Sequence, residues 1–526
     1  MRSGGQPKPV ATTRGLRSGM SLSRRARIEA SGAFALWSVG VFSILRATSA
    51  FGPGTEPDSA TYLAAARGLS TGHGFTGTGG DPLTFFPPLF PAAVAGLHGL
   101  GLSYLSAARF ANAAAFGFLV IVTVAWVRRV TESPFAAGLA GLFVALAPPL
   151  VEMGSSALSE PFFSLFVAVS LALLTEAVLK RRGAPLAAGC AISAAFLTRY
   201  VGLVLLPVAI VGFGFSRDRR AWSRRLAVAG PPIAAAALWF ARNWHVANNL
   251  TGLRPRSSIG LGTSLYQCLG AIGAWVLPAH TAGASAAAFG GILLVMVTTS
   301  AIDAAVNGRR LGNTPEAGVV PMALTAGFVL FYFLAIAVLA ARTAIDPPAR
   351  FLLPLFVPLV VLAAAMIVRL GIAVTHLDQR RAVVALAAAV LVVIAVSGPR
   401  LERFVTTADR DGLLTYSRPG WKNSPLLAYV RSHPPTGPVV SDDPYVLSLY
   451  AGISATLTPE RTYYNSPQPT GSTGAIGHDP SSTKPTTLIW WFRSSLPHYF
   501  SLEQLGQKNC LAKQARFDDG EIYQLC

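Results

Sequence analysis

Repeated apolar runs govern what this 526-residue chain can fold into. The hydrocarbon core of a bilayer is about 30 Å thick and takes roughly 20 residues of α-helix to cross. Runs approaching or exceeding that length occur near 33–50, 104–127, 134–151, 159–179, 184–198, 201–215, 226–244, 284–306, 318–341, 351–370 and 382–398. The expected fold is a polytopic α-helical membrane protein with about 11 transmembrane helices. The fifth and sixth runs are short and are separated by Thr198-Arg199-Tyr200, so 184–215 reads as one long helix or as a hairpin. Basic clusters at both ends, Lys180-Arg181-Arg182 and Arg217-Asp218-Arg219-Arg220, favour the hairpin, which returns both to one side.

The placement of charge supports the same reading. Only 13% of residues are charged while 52% are hydrophobic, against about 25% charged in a typical soluble domain. A net charge of +19 on so apolar a chain does not describe a nucleic-acid binder, which needs dense Lys and Arg on a hydrated face. Cytoplasmic loops of membrane proteins carry excess Lys and Arg. With the N-terminus cytoplasmic, most of the basic residues fall on that face. They include Arg24, Arg25, Arg27, Arg128, Arg129, Arg224, Arg225, Arg309, Arg310, Arg369, Arg380 and Arg381.

Three regions follow. Residues 1–32 are basic and rich in Ser and Gly, and read as a disordered cytoplasmic tail. Residues 33–398 form the transmembrane domain, with a first external loop at 51–103 and a further external stretch at about 245–283. Residues 399–526 are nearly neutral and too polar to span, and alternate β-like and helical stretches. They read as a small extracytoplasmic α/β domain. Cys510 and Cys526 share this tail, and are either free thiols or a disulfide in an oxidising compartment.

Charges at a membrane edge are costly and tend to be functional. Asp58 follows Pro57 just past the first run, where 58–69 has helical spacing and Asp58 reads as an N-cap. Glu160 opens the fourth run in Ser159-Glu160-Pro161, where a carboxylate also meets the positive end of the helix dipole. Arg199 sits at the tip of the short hairpin, and Arg350 at the outer start of the tenth run. Arginine suits bidentate phosphate contact, although long basic side chains also snorkel to headgroups.

Together these features resemble the GT-C glycosyltransferases, in the family 39-like group of protein O-mannosyltransferases and lipid A aminoarabinose transferase. The matching text is Pro57-Asp58-Ser59-Ala60-Thr61-Tyr62, Phe86-Pro87-Pro88-Leu89, Ser159-Glu160-Pro161, Leu197-Thr198-Arg199-Tyr200 and Arg350-Phe351-Leu352-Leu353-Pro354. The tail text Val440-Ser441-Asp442-Asp443-Pro444-Tyr445 also resembles that of bacterial members. The resemblance implies inverting transfer of a sugar from a polyprenyl-phosphate donor to an acceptor hydroxyl of an envelope glycan, lipid or protein. It assigns Asp58 as general base, and it places Glu160, Arg199, Tyr200, Arg350 and Tyr62 around the substrate. It also implies a multi-pass protein of the bacterial plasma membrane, with membrane lipids and no nucleic acid as partners. Ser59 stands where the family often has Glu, and Phe86 where many members have His or Lys. A divalent metal is possible but none is predicted. The competing readings are a lipid or small-molecule transporter or flippase, and a noncatalytic envelope scaffold. The chain shows no internal repeat of the kind common in transporters.

Overall fold

A computed structural model of the chain describes every residue except 1–13, 180–182, 215–220, 253, 255, 276, 278–282, 311–318, 344–347, 375–378, 463–468, 478–483 and 494–497. The basic clusters Lys180-Arg181-Arg182 and Arg217–Arg220 lie outside the described residues. The side chains of Arg24, Arg25, Arg309, Arg310, Arg369, Arg380 and Arg381 do as well.

The first helix runs Arg14–Ala47. Residues 14–32, read from the sequence as part of a disordered tail, are therefore helical, and no proline interrupts them. Among the described residues, five helices are long and apolar enough to cross a bilayer: Arg27–Ala47, Tyr104–Thr131, Glu160–Val178, Val320–Arg342 and Ala349–Val368. A sixth arises if Pro134–Ala145 and Pro148–Gly154 count as one span, bent by 56°. The sequence predicts a single run at 134–151. The bend falls where Pro148 and Pro149 remove backbone donors. The other predicted runs form helices that are shorter or that carry more charge, such as Ala184–Thr198 and Gln379–Asp411. The last of these passes the predicted 398/399 boundary and Pro399 without a break.

Packing inside the helical body relies on small residues that let backbones approach, as in other membrane bundles. A Cβ added at Gly117 would lie 2.5 Å from the Trp37 indole, so Arg14–Ala47 and Tyr104–Thr131 close on that glycine. Phe116, Phe163, Phe328, Tyr332 and Val361 fill the main core. Phe118, Ile210, Leu238, Val295, Ile367 and Leu391 point outward, as expected of a surface solvated by lipid.

Residues 184–215 are not one helix. Ala184–Thr198 stops at an extended Arg199, a 3₁₀ turn covers Tyr200–Val204, and Leu205–Gly214 follows. The turn folds back so closely that a Cβ on Gly202 would lie 2.6 Å from the backbone of Ala195. The stretch at 245–283, expected to be external loop, contains the helix Leu261–Ala274. Its Cys268 and Ile272 are buried against the main core, because the apolar face of Leu265, Cys268, Leu269 and Ile272 recurs at helical spacing.

Residues beyond Asp411 build a mixed five-stranded sheet of order β2-β1-β3-β5-β4. The strands are β1 (Val439–Ser441), β2 (Thr456–Leu457), β3 (Thr487–Trp491), β4 (Leu511–Phe517) and β5 (Gly520–Leu525). β1 lies parallel to β2 and β3, whereas β5 is antiparallel to β3 and β4. Trp421 and Trp491 pack with ring centroids 5.4 Å apart inside this unit's own core. A disulfide joins Cys510, just before β4, to Cys526, just after β5.

This C-terminal unit sits on the first loop. Tyr416 N–H donates to Thr55 O at 3.0 Å and Ala455 N–H to Thr78 O at 3.1 Å. Arg67 Nη1 donates to Ser448 O at 2.9 Å. The three-residue helix Pro444–Val446 packs against the loop helix Pro57–Ser70.

Candidate active site

The site is assembled by one short backbone clamp. Gly54 pairs with Ser156 in an isolated parallel bridge. Gly54 N–H donates to Ser155 O at 2.9 Å, and Ala157 N–H donates to Gly54 O at 2.8 Å. Two acid-bearing helices start within a few residues of the clamp. Pro57–Ser70 carries Asp58 in its first turn, and Glu160–Val178 opens on Glu160. The buried Asn112 reinforces it, donating to Ser156 O and Leu158 O at 2.6 and 2.9 Å.

The N-cap of the loop helix is Glu56, not Asp58; Ser59 Oγ accepts from Glu56 N–H at 3.2 Å. Asp58 is thereby left to pair with Arg350, and its side chain is 28% exposed.

Arg350 lies at the centre, paired with both Glu56 and Asp58 and with Nε 3.3 Å from Glu160 Oε1. Arg199 Nη1 lies 2.7 Å from Glu160 Oε1 and 3.3 Å from Ser159 Oγ. Both guanidinium carbons are 4.8 Å from the centre of the Phe351 ring, a cation–π geometry. Glu160 is 1% exposed, and its Oε2 has no hydrogen-bond partner among the described residues. Tyr62 is buried beside them, with its hydroxyl 2.8 Å from Ser159 Oγ and its ring tilted against Phe86 and edge-on to Phe90.

Burial above all, and then the Glu160 carboxylate, push Asp58 up to about 6 against the pull of Arg199 and Arg254. The direct Arg350 contact favours the ionised form. Asp58 is an anion at neutral pH with unusual proton affinity for an aspartate, the property a general base requires.

Asp58, Glu160, Arg199, Arg350 and Tyr62 therefore converge. Tyr200 stands one layer out. Its hydroxyl donates to Thr84 O at 2.6 Å and accepts from Trp239 Nε1 at 3.1 Å and Asn243 Nδ2 at 2.9 Å. That hydroxyl is fully used, and it holds the first loop against the helix Ala221–Ala247. Tyr200→Phe is expected to cost about 1–3 kcal/mol of stability by orphaning those partners. A thermal-unfolding comparison in detergent checks it, and an unchanged melting temperature counts against the positioning role.

Two basic residues were not singled out in the sequence. Arg254 donates to Phe85 O at 3.2 Å, and its guanidinium carbon lies 4.0 Å from the centre of the Phe85 ring. Arg242 donates to Leu83 O at 2.6 Å and Phe75 O at 3.1 Å. The available signal was their position at the membrane edge opposite the basic clusters. Among the described residues no group of three or more His, Cys, Asp or Glu is placed to hold a metal ion.

The chain thus joins a multi-pass helical body, a carboxylate-bearing helix in its first long loop and a mixed sheet resting on that loop. Residues 79–225, which include Glu160, Arg199 and Tyr200, match the model of the dolichyl-phosphate-mannose-protein mannosyltransferase family. The resemblance read from the sequence motifs is matched at both levels.

No curated protein sequence matches the chain. Its structure is similar to ArnT from Cupriavidus metallidurans in the apo state, at 14% identity and a TM-score of 0.60, covering 96% of this chain and 98% of that one. It is similarly close to the same protein bound to undecaprenyl phosphate, at 15% identity and a TM-score of 0.58, covering 95% and 98%. The arabinofuranosyltransferase AftD from mycobacteria matches at 17% identity and a TM-score of 0.51, over 95% of this chain and 41% of that longer one. At these identities the likeness is one of fold.

Proposed function

We propose that the chain is a GT-C glycosyltransferase that moves a sugar from a polyprenyl-phosphate donor to an acceptor hydroxyl, with inversion. The observation that carries this reading is the pairing of Asp58, raised toward neutrality, with an arginine held among three carboxylates. A phosphate entering the site competes with those carboxylates for Arg350, and Arg199 lies close enough to share the load. Phosphate recognition by paired guanidiniums is charge-assisted and bidentate. The undecaprenyl phosphate bound by ArnT supports a donor of that chemistry.

In the proposed step the acceptor oxygen attacks the anomeric carbon and the bond from that carbon to the phosphate oxygen breaks. The hydroxyl proton passes to Asp58, and the electron pair leaves on the lipid phosphate. The arginines stabilise the charge that develops there. Glu160 keeps Arg199 and Arg350 in register. In the same reading, about 11 helices lie in the membrane, with the N-terminus cytoplasmic and the C-terminal unit outside, in a bacterial plasma membrane.

The test is transfer from a radiolabelled polyprenyl-phosphate sugar in membranes bearing the protein, followed across pH. The proton acceptor must be ionised, so activity is expected to fall about tenfold per pH unit below about 6. A rate that is flat from pH 7 to 4.5 would remove Asp58 from the role. Movement of unmodified lipid without covalent transfer would favour a flippase.

A further inference from the structure

The groups around Asp58 differ in chemistry according to the part of the chain that supplies them. The membrane side carries the cations Arg199, Arg350 and Arg254. The side contributed by the C-terminal unit carries phenols and carboxylates. Tyr416 donates to the buried Asp443 at 2.9 Å, and the Tyr416 and Tyr445 rings lie 6.4 Å apart. Tyr499 Oη lies 3.4 Å from Glu460 Oε1, across the bridge that pairs Glu460 with Tyr499.

Tyr445 is the member nearest the chemistry. It lies on the short helix packed against the Asp58 helix, and it feels the charges of Asp58, Asp443 and Glu460. Its hydroxyl makes no hydrogen bond among the described residues. Burial first, and then the Asp442 charge, push Asp443 up to about 7, so this wall is poised to accept and donate hydrogen bonds. Two nearby cations are engaged elsewhere: Arg67 bonds Ser448 O and Arg431 bonds Tyr450 O.

We propose that Tyr445, Tyr499 and Glu460 form the acceptor subsite, and that the acceptor is a neutral carbohydrate. Aromatic faces offer apolar area with a polar edge, and carboxylates accept hydrogen bonds from hydroxyls. Both suit a sugar ring. A phosphorylated acceptor would meet like charge at Glu460, and the cations proposed to hold the donor phosphate, Arg199 and Arg350, belong to the helical body. Tyr445 is here a specificity-determining residue that directs an acceptor hydroxyl toward the base. This inference rests on the transfer reading above and deepens it.

The experiment uses the full chain in lipid nanodiscs. Binding is measured for neutral hexasaccharides of hexose and of pentose units, a bisphosphorylated glucosamine disaccharide, a Ser/Thr peptide and undecaprenyl phosphate. Saturable binding of a neutral hexasaccharide is expected, weakened roughly tenfold by Tyr445→Phe and by Glu460→Gln, with undecaprenyl phosphate binding unchanged. Both substitutions keep side-chain shape, and Tyr445→Phe removes a hydroxyl without a partner among the described residues, so neither is expected to unfold the protein. Three results overturn the proposal: no hexasaccharide binding, hexasaccharide binding indifferent to both substitutions, or tighter binding of the phosphorylated disaccharide or the peptide. Hexasaccharide binding without undecaprenyl phosphate binding would overturn the donor reading and leave the subsite standing.

Discussion

Asp58→Asn is expected to lower sugar transfer by about 10²- to 10⁴-fold, the range supplied by a positioned general base. The amide keeps the size of the carboxylate but cannot take a proton at neutral pH. Its loss also removes one of three carboxylates from Arg350, so the guanidinium is freer to meet a phosphate. Donor affinity is therefore expected to hold or rise while turnover collapses. A variant that merely misfolds would lose both, which makes the split between donor binding and rate the diagnostic measurement. Wild-type turnover in the asparagine variant would end the assignment.

The second large effect concerns Arg199 and Glu160. Their side chains are 13% and 2% exposed, so screening by water is weak. Removing one member of a buried pair strands the other's charge, at a cost of about 3–5 kcal/mol. Arg199→Ala is expected to destabilise the helical body by that order, visible as a clear drop in melting temperature. Arg350 still touches Glu160, which places the loss toward the lower end. Adding Glu160→Gln to Arg199→Ala is expected to recover most of it, since the stranded charge disappears. A double variant no more stable than Arg199→Ala would show that the arginine acts through packing on Phe351 instead.

Part of this site was legible in the sequence. Asp58 and Glu160 stood out because each follows or precedes a proline at a helix start, in a chain where few acidic residues lie away from the basic clusters. Arg199 stood out because it interrupts two apolar runs. The pairing pattern was not legible. Arg350 reaches Glu56 and Asp58 across 294 and 292 residues, and periodicity carries no information about such contacts. The N-cap of the loop helix was misread by two residues, because Glu56 and Asp58 both flank Pro57 and either could precede the first turn. Leu261–Ala274 was missed because it is too short for a span, and its burial comes from neighbouring helices. The apolar runs located most helices, while the bend after Ala145 and the turn at Arg199 depended on local breakers inside them.

Arg350 among three carboxylates bears on what limits the catalytic cycle. Under the proposed reaction the leaving lipid phosphate gains nearly a full negative charge as it becomes a monoester, while Asp58 becomes neutral by accepting the proton. The two changes offset one another, but they shift Arg350 from a carboxylate partner to the spent lipid. The spent lipid is therefore held best just after transfer, until Asp58 loses its proton and reclaims the guanidinium. Deprotonation of a single aspartate would then time lipid release, and make the enzyme most prone to inhibition by its own product in acid.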